Sequence, residues 1–369
     1  MKILVTGGAG FIGSFLVDSL VNAGHDVVIV DSLEPQVHNG KAPEYLNKKA
    51  KFMQGNVKDR KFMLKAMEGV EFIYHHASVV GIGQSNYEIA RFVNDNSHGT
   101  AVILDILANE RHNVKKMVIP SSNTCYGEGM YKCEKCGEFK GRLRAQEDIT
   151  GNSWDVKCPS CHEAAGPIPV QEDTPLDCNS IYSYTKRDQE NMAMHIGRMY
   201  GIPITVFRYF NVYGPRQSLS NPYTGVSAIF ISRLMAGKAP VIYEDGLQTR
   251  DFISVHDVVD ASMLAMNSRA SDYGIFNVGT GQPITITQVA LEAAKLLGKK
   301  IKPEISGKFR KGDIRHCIAD ISKIKARLGW SPKTGFSRGF ASLVKGSSEA
   351  GHHDNFDKAS SELEKRGLA

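Results

Sequence analysis

Tyr182 and Lys186 stand four residues apart in "YSYTK", a spacing that puts a phenol and an ammonium on one face of a helix. A phenol with an ordinary pKa of about 10 is a poor base at neutral pH. A neighbouring ammonium stabilises the phenolate and lowers that pKa, so Tyr182 becomes able to exchange a proton with a substrate hydroxyl. Upstream, "VIPSSNTCYG" places Ser122 at the end of an apolar run, positioned to hydrogen-bond the reacting oxygen. Taken alone, a Tyr-x-x-x-Lys pair is common by chance, and a surface phenol beside a solvated ammonium is its ordinary meaning. The rest of the chain removes that ordinary meaning.

The stretch "GGAGFIG" carries Gly7, Gly10 and Gly13 at three-residue steps, between an apolar strand and an amphipathic helix. Glycines at this spacing allow a tight turn and a close approach of backbone to a pyrophosphate, whose charge the helix N-terminus favours. Asp31 ends the second apolar run, "DVVIVD". A carboxylate there accepts hydrogen bonds from both ribose hydroxyls and repels a 2′-phosphate, which points to NAD rather than NADP. Hydride exchange with NAD and proton exchange with Tyr182 are the two halves of an alcohol oxidation.

Four of the seven cysteines form two Cys-x-x-Cys pairs, Cys133/Cys136 and Cys158/Cys161. Four thiolates on two knuckles close a tetrahedral zinc shell and leave no position for water, so the metal is expected to be structural. His162 abuts the second knuckle and reads as a solvated neighbour. Cys125 lies close to Ser122, but no flanking base accompanies it, and buried packing is the expectation. The knuckles fall between Ser122 and Tyr182, where a long loop without a core of its own needs such a staple. The insert leaves the Ser122 strand and rejoins before the Tyr182 helix, so it is expected over or beside the substrate pocket.

These residues need a scaffold, and the pattern supplies one. The runs at 2–6, 26–31, 70–76, 115–120 and 203–208 read as buried strands separated by stretches with helical spacing. In the first helix Ile12, Leu16 and Leu20 share a face and Gly24 ends it. The expected fold is α/β: a doubly wound parallel sheet with a smaller C-terminal substrate-binding lobe and a four-cysteine zinc-ribbon insert. The expected divisions are 1–128 for the dinucleotide-binding domain, 129–165 for the insert, 166–207 for the domain's continuation with the catalytic helix, 208–345 mainly for the lobe, and 346–369 for a polar link and terminal helix.

With 369 residues, 42% hydrophobic and 23% charged, the chain is long enough for a large core. A net charge of +6 without a basic, aromatic-laced run points away from nucleic acid. The sequence has no apolar run long enough to span a membrane and no leader pattern, and the cysteines suit metal better than disulfides. The expected location is the cytoplasm.

In order along most of its length, the chain resembles the extended short-chain dehydrogenase/reductases that act on nucleotide sugars. The matching segments are the glycine turn, "HHAS" (75–78), "NSHGT" (96–100), "SSNTCYG", the Tyr–Lys pair, "RYFNVYGPRQ", "DGLQTRDFISVHDVV" and "RKGDIRHCIADISKIKARLGW". The resemblance implies that Ser122, Tyr182 and Lys186 are catalytic. It implies cofactor contacts from Gly7, Gly10, Phe11, Ile12, Gly13, Asp31, Asn56, Val57, Ala77 and Asn96, and from Tyr182 and Lys186. It implies substrate contacts from Ser122, Asn123, Asn211, Arg250, Arg310 and Arg315, the guanidinium forks suiting diphosphate oxygens. Pairing of two chains through two helices is also implied, with Met192, Ile196 and Met199 as an apolar seam. Asn56 and His76 depart from the family pattern, which has Asp and Leu there. The knuckle insert, "NPYTGVSAIF" and "FDKASSELEKRGL" are most similar to a dTDP-L-rhamnose 4-epimerase-like subgroup.

Within such a family the two residues after Ser122 separate the reactions. Dehydratases carry an Asp–Glu pair and decarboxylases a Glu, whereas Asn123 and Thr124 have no carboxyl proton to move. Inversion at C4 needs only the Tyr base, bound NAD and room for the 4-keto sugar to turn over. The expected function is therefore NAD-dependent 4-epimerisation of a nucleoside-diphosphate sugar, dTDP-L-rhamnose or a UDP-hexose. A reductase or dehydrogenase exchanging NAD(P)H with solution is the rival enzyme, from which tightly held cofactor distinguishes it. A non-enzymatic dinucleotide sensor is the rival outside enzymology, and it has no use for the Tyr–Lys pair.

Overall fold

The computed structural model describes residues 1–144, 149, 153–348 and 354–368. The strands in chain order begin β1 (Lys2–Thr6), β2 (Asp26–Asp31), β3 (Lys51–Gln54), β4 (Phe72–His75) and β5 (Lys116–Ser122). The insert holds β6 (Met130–Cys133) and β7 (Gly137–Lys140), and β8 (Gly166–Ile168) follows directly after it. Then come β9 (Ile204–Tyr209), β10 (Asn211–Tyr213), β11 (Val241–Ile242), β12 (Thr249–Ser254), β13 (Ile275–Val278), β14 (Pro283–Thr285), β15 (Glu304–Ile305) and β16 (His316–Cys317).

Seven strands, in spatial order β13-β9-β5-β4-β1-β2-β3, make one parallel sheet. Their apolar runs are buried on both faces, one against Leu16, Leu20 and Val258, the other against Ile103, Leu107 and Met194. This is why the runs are continuous rather than alternating. The strand order reverses between β1 and β4, and a crevice opens there beyond the strand ends. Two strands of this sheet lack an obvious sequence signal. β3 is a four-residue edge strand with half-exposed side chains. β13 carries Asn277 in its middle, and that amide is buried because it accepts from Tyr126 and donates to Val170 O and Asp320 O.

The first helix, Phe11–Asn22, buries Leu16 and Leu20, and Gly24 follows it at φ +79°. The helix Ile181–Tyr200 starts on a capping box between Ser180 and Ser183. It is fixed laterally by the buried ion pair of Arg208 with Glu190, at 2.6 Å. Gln189 adds a hydrogen bond to Thr100 at 2.6 Å. The lobe joins β10, β12, β14 and β16 in a mixed sheet with its own core around Phe230, Phe252, Val289 and Phe340. The insert's β7 and β6 join β8, just beyond its expected end, in an antiparallel sheet, and the insert's small core is Tyr131, Cys133, Val156, Cys158 and Ala165. The polar link expected from 346 starts inside a helix, Phe336–Ser348. Residues 349–353 of that link lie outside the described residues, and the terminal helix spans Phe356–Lys365.

His75, at the end of β4, is buried in a chain of hydroxyls. Thr100 donates to Asn96 O at 2.8 Å, so its oxygen accepts from His75 Nε2, also 2.8 Å away. His75 Nδ1 then accepts from the Thr6 hydroxyl at 2.7 Å. Burial, with Lys186 and His76 adding to it, holds His75 down to about 3. Between about 3 and the ordinary value of 6.5 the unfolded chain binds this proton and the folded chain does not. Stability is therefore lost as pH falls through that window. At pH 5 the loss from this one ring is about 2 kcal/mol. Denaturant titrations at pH 7.5 and 5.0 should show His75→Gln losing less stability on acidification than the parent, by that amount. Equal losses would mean that His75 is not held neutral.

Candidate active site

A cavity of about 530 Å³ opens at the carboxyl ends of the parallel strands and runs under the lobe. Its wall brings together Gly7, Gly10, Phe11, Ile12, Gly13, Asp31, Asn56, Val57 and Ala77 from one side. Ser122, Asn123, Tyr182, Lys186, Asn211 and Arg310 come from the other. The glycine turn is geometrically enforced at two positions. Gly7 has φ +69°, and a Cβ there would sit 2.7 Å from Ala77 N. A Cβ on Gly13 would lie 2.2 Å from Gly7 O. Each oxygen of Asp31 accepts one backbone N–H, from Ala9 at 3.1 Å and Leu33 at 2.9 Å, which fixes the carboxylate at the cavity wall. Each oxygen keeps lone-pair capacity for a further donor.

Across the cavity, Tyr182 and Lys186 occupy one face of the helix Ile181–Tyr200 and both are buried. Ser122 ends β5, and its hydroxyl accepts from Thr124 N at 3.2 Å and Thr124 Oγ1 at 3.0 Å. The expected lowering of the phenol by Lys186 is not what this geometry gives. Burial pushes the Tyr182 phenol up, and the opposing pull comes from the Ser122 hydroxyl. Burial holds Lys186 down to about 8. Buried in this way, both groups are shifted towards their neutral forms, as desolvation demands. Four polar atoms in the cavity's side chains have no protein partner, His76 Nε2, Asn211 Oδ1, Gln217 Oε1 and Ser227 Oγ. An unmet polar atom at a cavity wall is what a site awaiting a polar ligand presents.

Three residues expected at the site do not reach the wall. Asn96 is fully buried behind it: its Oδ1 accepts from Val79 N and Ser78 Oγ, and its amide donates to Val79 O and Thr185 Oγ1. It shapes the loop that follows Ala77 instead of touching what lies beyond. The guanidinium of Arg250 is engaged by Thr249 O, Ile314 O, Arg315 O and the Asp313 carboxylate. Arg315 is buried between Glu244, Asp245 and Asp155, at 2.6 to 3.2 Å. Arg310 does face the cavity, lying 5.6 Å from the Tyr243 ring centroid with Asp313 accepting from it at 3.0 Å. Burial favours the neutral acid of Asp313, but Arg310, Arg250 and Arg144 outweigh it and hold the carboxyl below the usual range.

Some of the wall went unanticipated. The terminal helix contributes Phe356, Ala359, Ser360 and Leu363. The apolar spacing of Phe356, Ala359 and Leu363 was the available signal, since three such residues on one helical face in a polar tail must cover something. The insert gives the opposite result: among the described residues, none from 129 to 165 lines the cavity. It packs instead on the lobe, where Gly129 N donates to His316 O at 3.0 Å.

The four knuckle sulfurs lie within 4.8 Å of one another, with Cys133 and Cys161 at 3.5 Å. A tetrahedral shell with 2.3 Å zinc–sulfur bonds spaces its sulfurs by about 3.8 Å. Backbone N–H groups of Cys161 and Ser160 bear on Cys158 and hold its thiol down to about 6. His162 is exposed, at φ +60°. Cys125 is buried and its thiol is raised, by its hydrogen bond with Cys178 first and by burial next.

Comparison with known proteins agrees with this geometry. Residues 3–144 match the model of the NAD dependent epimerase/dehydratase family, and 164–343 match that of GDP-mannose 4,6 dehydratase. The two matches leave 145–163, within the insert, between them. A dTDP-L-rhamnose 4-epimerase of Burkholderia thailandensis is 34% identical over 351 residues, covering 93% of each chain. A UDP-glucuronate 4-epimerase of Thermodesulfobacterium geofontis is 30% identical, covering 94% of this chain and 96% of its own. Among solved structures, the UDP-glucose 4-epimerase of Thermotoga maritima, determined with UDP-glucose, has a TM-score of 0.77 at 32% identity, covering 95% of this chain and 99% of that one. The UDP-glucose 4-epimerase of Thermus thermophilus, in complex with NAD, has a TM-score of 0.76 at 28% identity, covering 95% and 100%. With a glycine turn, an acid-tipped second strand and a Ser–Tyr–Lys face in one cavity, the chain belongs to the NAD-dependent epimerase/dehydratase family, the extended short-chain dehydrogenase/reductases of nucleotide sugars.

Proposed function

We propose that this protein is an NAD-dependent nucleotide-sugar 4-epimerase, acting on dTDP-L-rhamnose or a UDP-hexose. The observation that carries the reading is the composition of the wall around Ser122. Ser122, Tyr182 and Lys186 share one cavity, and Asn123 and Thr124 occupy the positions where elimination or decarboxylation would need a carboxyl group. The residues present fit a dinucleotide: the Gly7–Gly13 turn leaves room for a pyrophosphate, and Asp31 offers free lone pairs to a ribose. Held there, NAD would supply the acceptor and donor of the C4 hydride.

This chain's residues handle the proton and the geometry. Ser122 donates a hydrogen bond to the C4 oxygen. Tyr182 takes the hydroxyl proton as C4 is oxidised and gives it back after the 4-keto sugar has presented its other face. Lys186, one helical turn away on the same face, still carries its proton at neutral pH, held down to about 8, while in this geometry the Ser122 hydroxyl is what favours the phenolate. Arg310 holds the diphosphate, and Asn211 Oδ1, unpartnered at the wall, accepts from the substrate. The chemistry ends as it began in redox terms, so nothing is consumed and the cofactor has no need to leave.

The four knuckle cysteines are read as a closed zinc site that staples the insert, supported by the mutual approach of their sulfurs. A homodimer is supported by the exposed Tyr184, Met199 and Tyr200 on the helix Ile181–Tyr200. Within the expected seam, Met192 and Ile196 instead pack partly against the chain's own core, which moves the seam towards the exposed residues. The cytoplasm suits this set of reduced thiols, and among the described residues no helix is long and apolar enough to cross a membrane.

Tyr182→Phe keeps the ring and removes the proton carrier. Its turnover should fall by about 10²-fold or more with bound NAD content unchanged; near-parental turnover would take Tyr182 out of the reaction. Asp31→Ala should weaken NAD retention and narrow the preference over NADP, as read by cofactor released on denaturation; unchanged retention would remove the ribose contact. Native mass spectrometry should find two chains carrying about one zinc each. A metal-free chain with oxidised knuckles, or a monomer at micromolar concentration, would contradict the corresponding assignment.

A further inference from the structure

Among the described residues of the insert none lines the cavity, yet one of their side chains is tied to the loop that does. Arg144 is buried on the lobe side, and its guanidinium makes four kinds of contact. It donates to both oxygens of Glu244 at 2.8 and 3.0 Å. It reaches Asp313 O at 3.4 Å. It lies 5.4 Å from the centre of the Phe309 ring. It also donates to Trp154 O at 3.0 Å, back in the insert beside the second knuckle. Phe309 and Asp313 bracket Arg310, the guanidinium at the cavity wall, and the Asp313 carboxylate accepts from Arg310 at 3.0 Å. Arg144 thus grips both ends of the Arg310 loop.

The anchor beneath this grip is unusual. Glu244 is buried and sits at φ +54°, a conformation that a residue with a Cβ adopts only at a cost. Its carboxylate takes both Arg144 and Arg315, the latter at 2.9 Å, and Arg315 in turn holds Asp155 of the insert. Its backbone N–H donates to Lys308 O at 2.9 Å, immediately before Phe309. A strained acid shared by two buried guanidiniums, with its own amide on the same loop, persists because the surroundings over-determine it. Those surroundings converge on the loop 308–313.

We infer that Arg144 is a positioning residue for the nucleotide-sugar diphosphate: the insert uses it to hold Arg310 in line with the cavity. The inference rests on the reading of Arg310 as a diphosphate ligand and adds to it a reason for the insert. A planar fork is required, because one group must bind two carboxylate oxygens and a carbonyl while stacking on a ring. A lysine there keeps the charge and loses the geometry.

The test is a double-mutant cycle on binding of UDP and dTDP, measured by calorimetry on the intact, NAD-loaded protein, with KM and kcat for the nucleotide sugar alongside. Arg310→Met alone should weaken nucleoside-diphosphate binding by about 10-fold or more, the lower range for a charge-assisted pair. Arg144→Met and Arg144→Lys should each weaken it by several-fold and raise KM with kcat and NAD content little changed. In the Arg310→Met background, Arg144→Met should add almost nothing. If Arg310→Met leaves diphosphate binding intact, the reading of Arg310 fails. If Arg310→Met weakens binding but Arg144→Met does not, or if the two losses add in full, Arg144 does not act through Arg310. Full rescue by Arg144→Lys would make it a charge effect and overturn the positioning role. A drop in NAD content or melting temperature as large in Arg144→Lys as in Arg144→Met, with no KM change, would leave a purely structural residue and likewise overturn it.

Discussion

The site depends on how firmly one helix is seated. The helix Ile181–Tyr200 carries Tyr182 and Lys186 in its first two turns, and burying a phenol and an amine there costs free energy, so other contacts must hold the helix in place. Three kinds of contact prevent that movement. The capping box of Ser180 and Ser183 meets the first N–H groups, Glu190 is paired with Arg208 inside the protein, and Thr185 and Gln189 are hydrogen-bonded into the Asn96–Thr100 segment. A buried ion pair is a poor source of net stability, but breaking it is expensive, so it is suited to fixing a register. Because β5 carries Ser122 and pairs in parallel with β9, which carries Arg208, the same pair also fixes the helix against the strand that presents Ser122.

That seating keeps Tyr182 and Lys186 buried where proton transfer is assigned, whereas charged side chains gather where the diphosphate is assigned. Near Tyr182 burial works against charge, raising the phenol and lowering the amine to about 8. Near Arg310 the opposite holds: Asp313 remains an anion among three guanidiniums. The two regions meet over Ser122 and Asn211, where a sugar linked to a diphosphate would lie. A site divided in this way binds the charged end of its substrate firmly and leaves the sugar freedom to turn over, which inversion at C4 requires.

Much of this was legible in the sequence, for identifiable reasons. The doubly wound sheet announces itself because strands buried on both faces must be apolar throughout, as in "KILVT" and "DVVIVD". The glycine turn is legible because no other residue fits at Gly7 or Gly13. The tetrad of cysteines is legible because chemistry fixes its spacing. What was not legible depends on contacts between distant segments. Asn277 in β13 hides a strand, since only Tyr126 and two carbonyls make that amide acceptable inside. Arg250, Arg310 and Arg315 look alike as letters, and only the fold assigns Arg250 and Arg315 to carboxylates and carbonyls while leaving Arg310 at the wall. The packing of the insert's described residues on the lobe likewise rests on Arg144 and Asp155 meeting residues about 100 and 160 positions away.

The central claim is that one cavity oxidises C4 and reduces the same carbon from its other face without releasing the hydride. The direct measurement is incubation of a nucleotide sugar deuterated at C4 with the purified protein and no added cofactor, followed by NMR. The account predicts that the C4 epimer appears with deuterium retained at C4 and no washout into solvent. Inversion with loss of the label to water, or a 4-keto product that accumulates and requires added NAD(P)H, would contradict it.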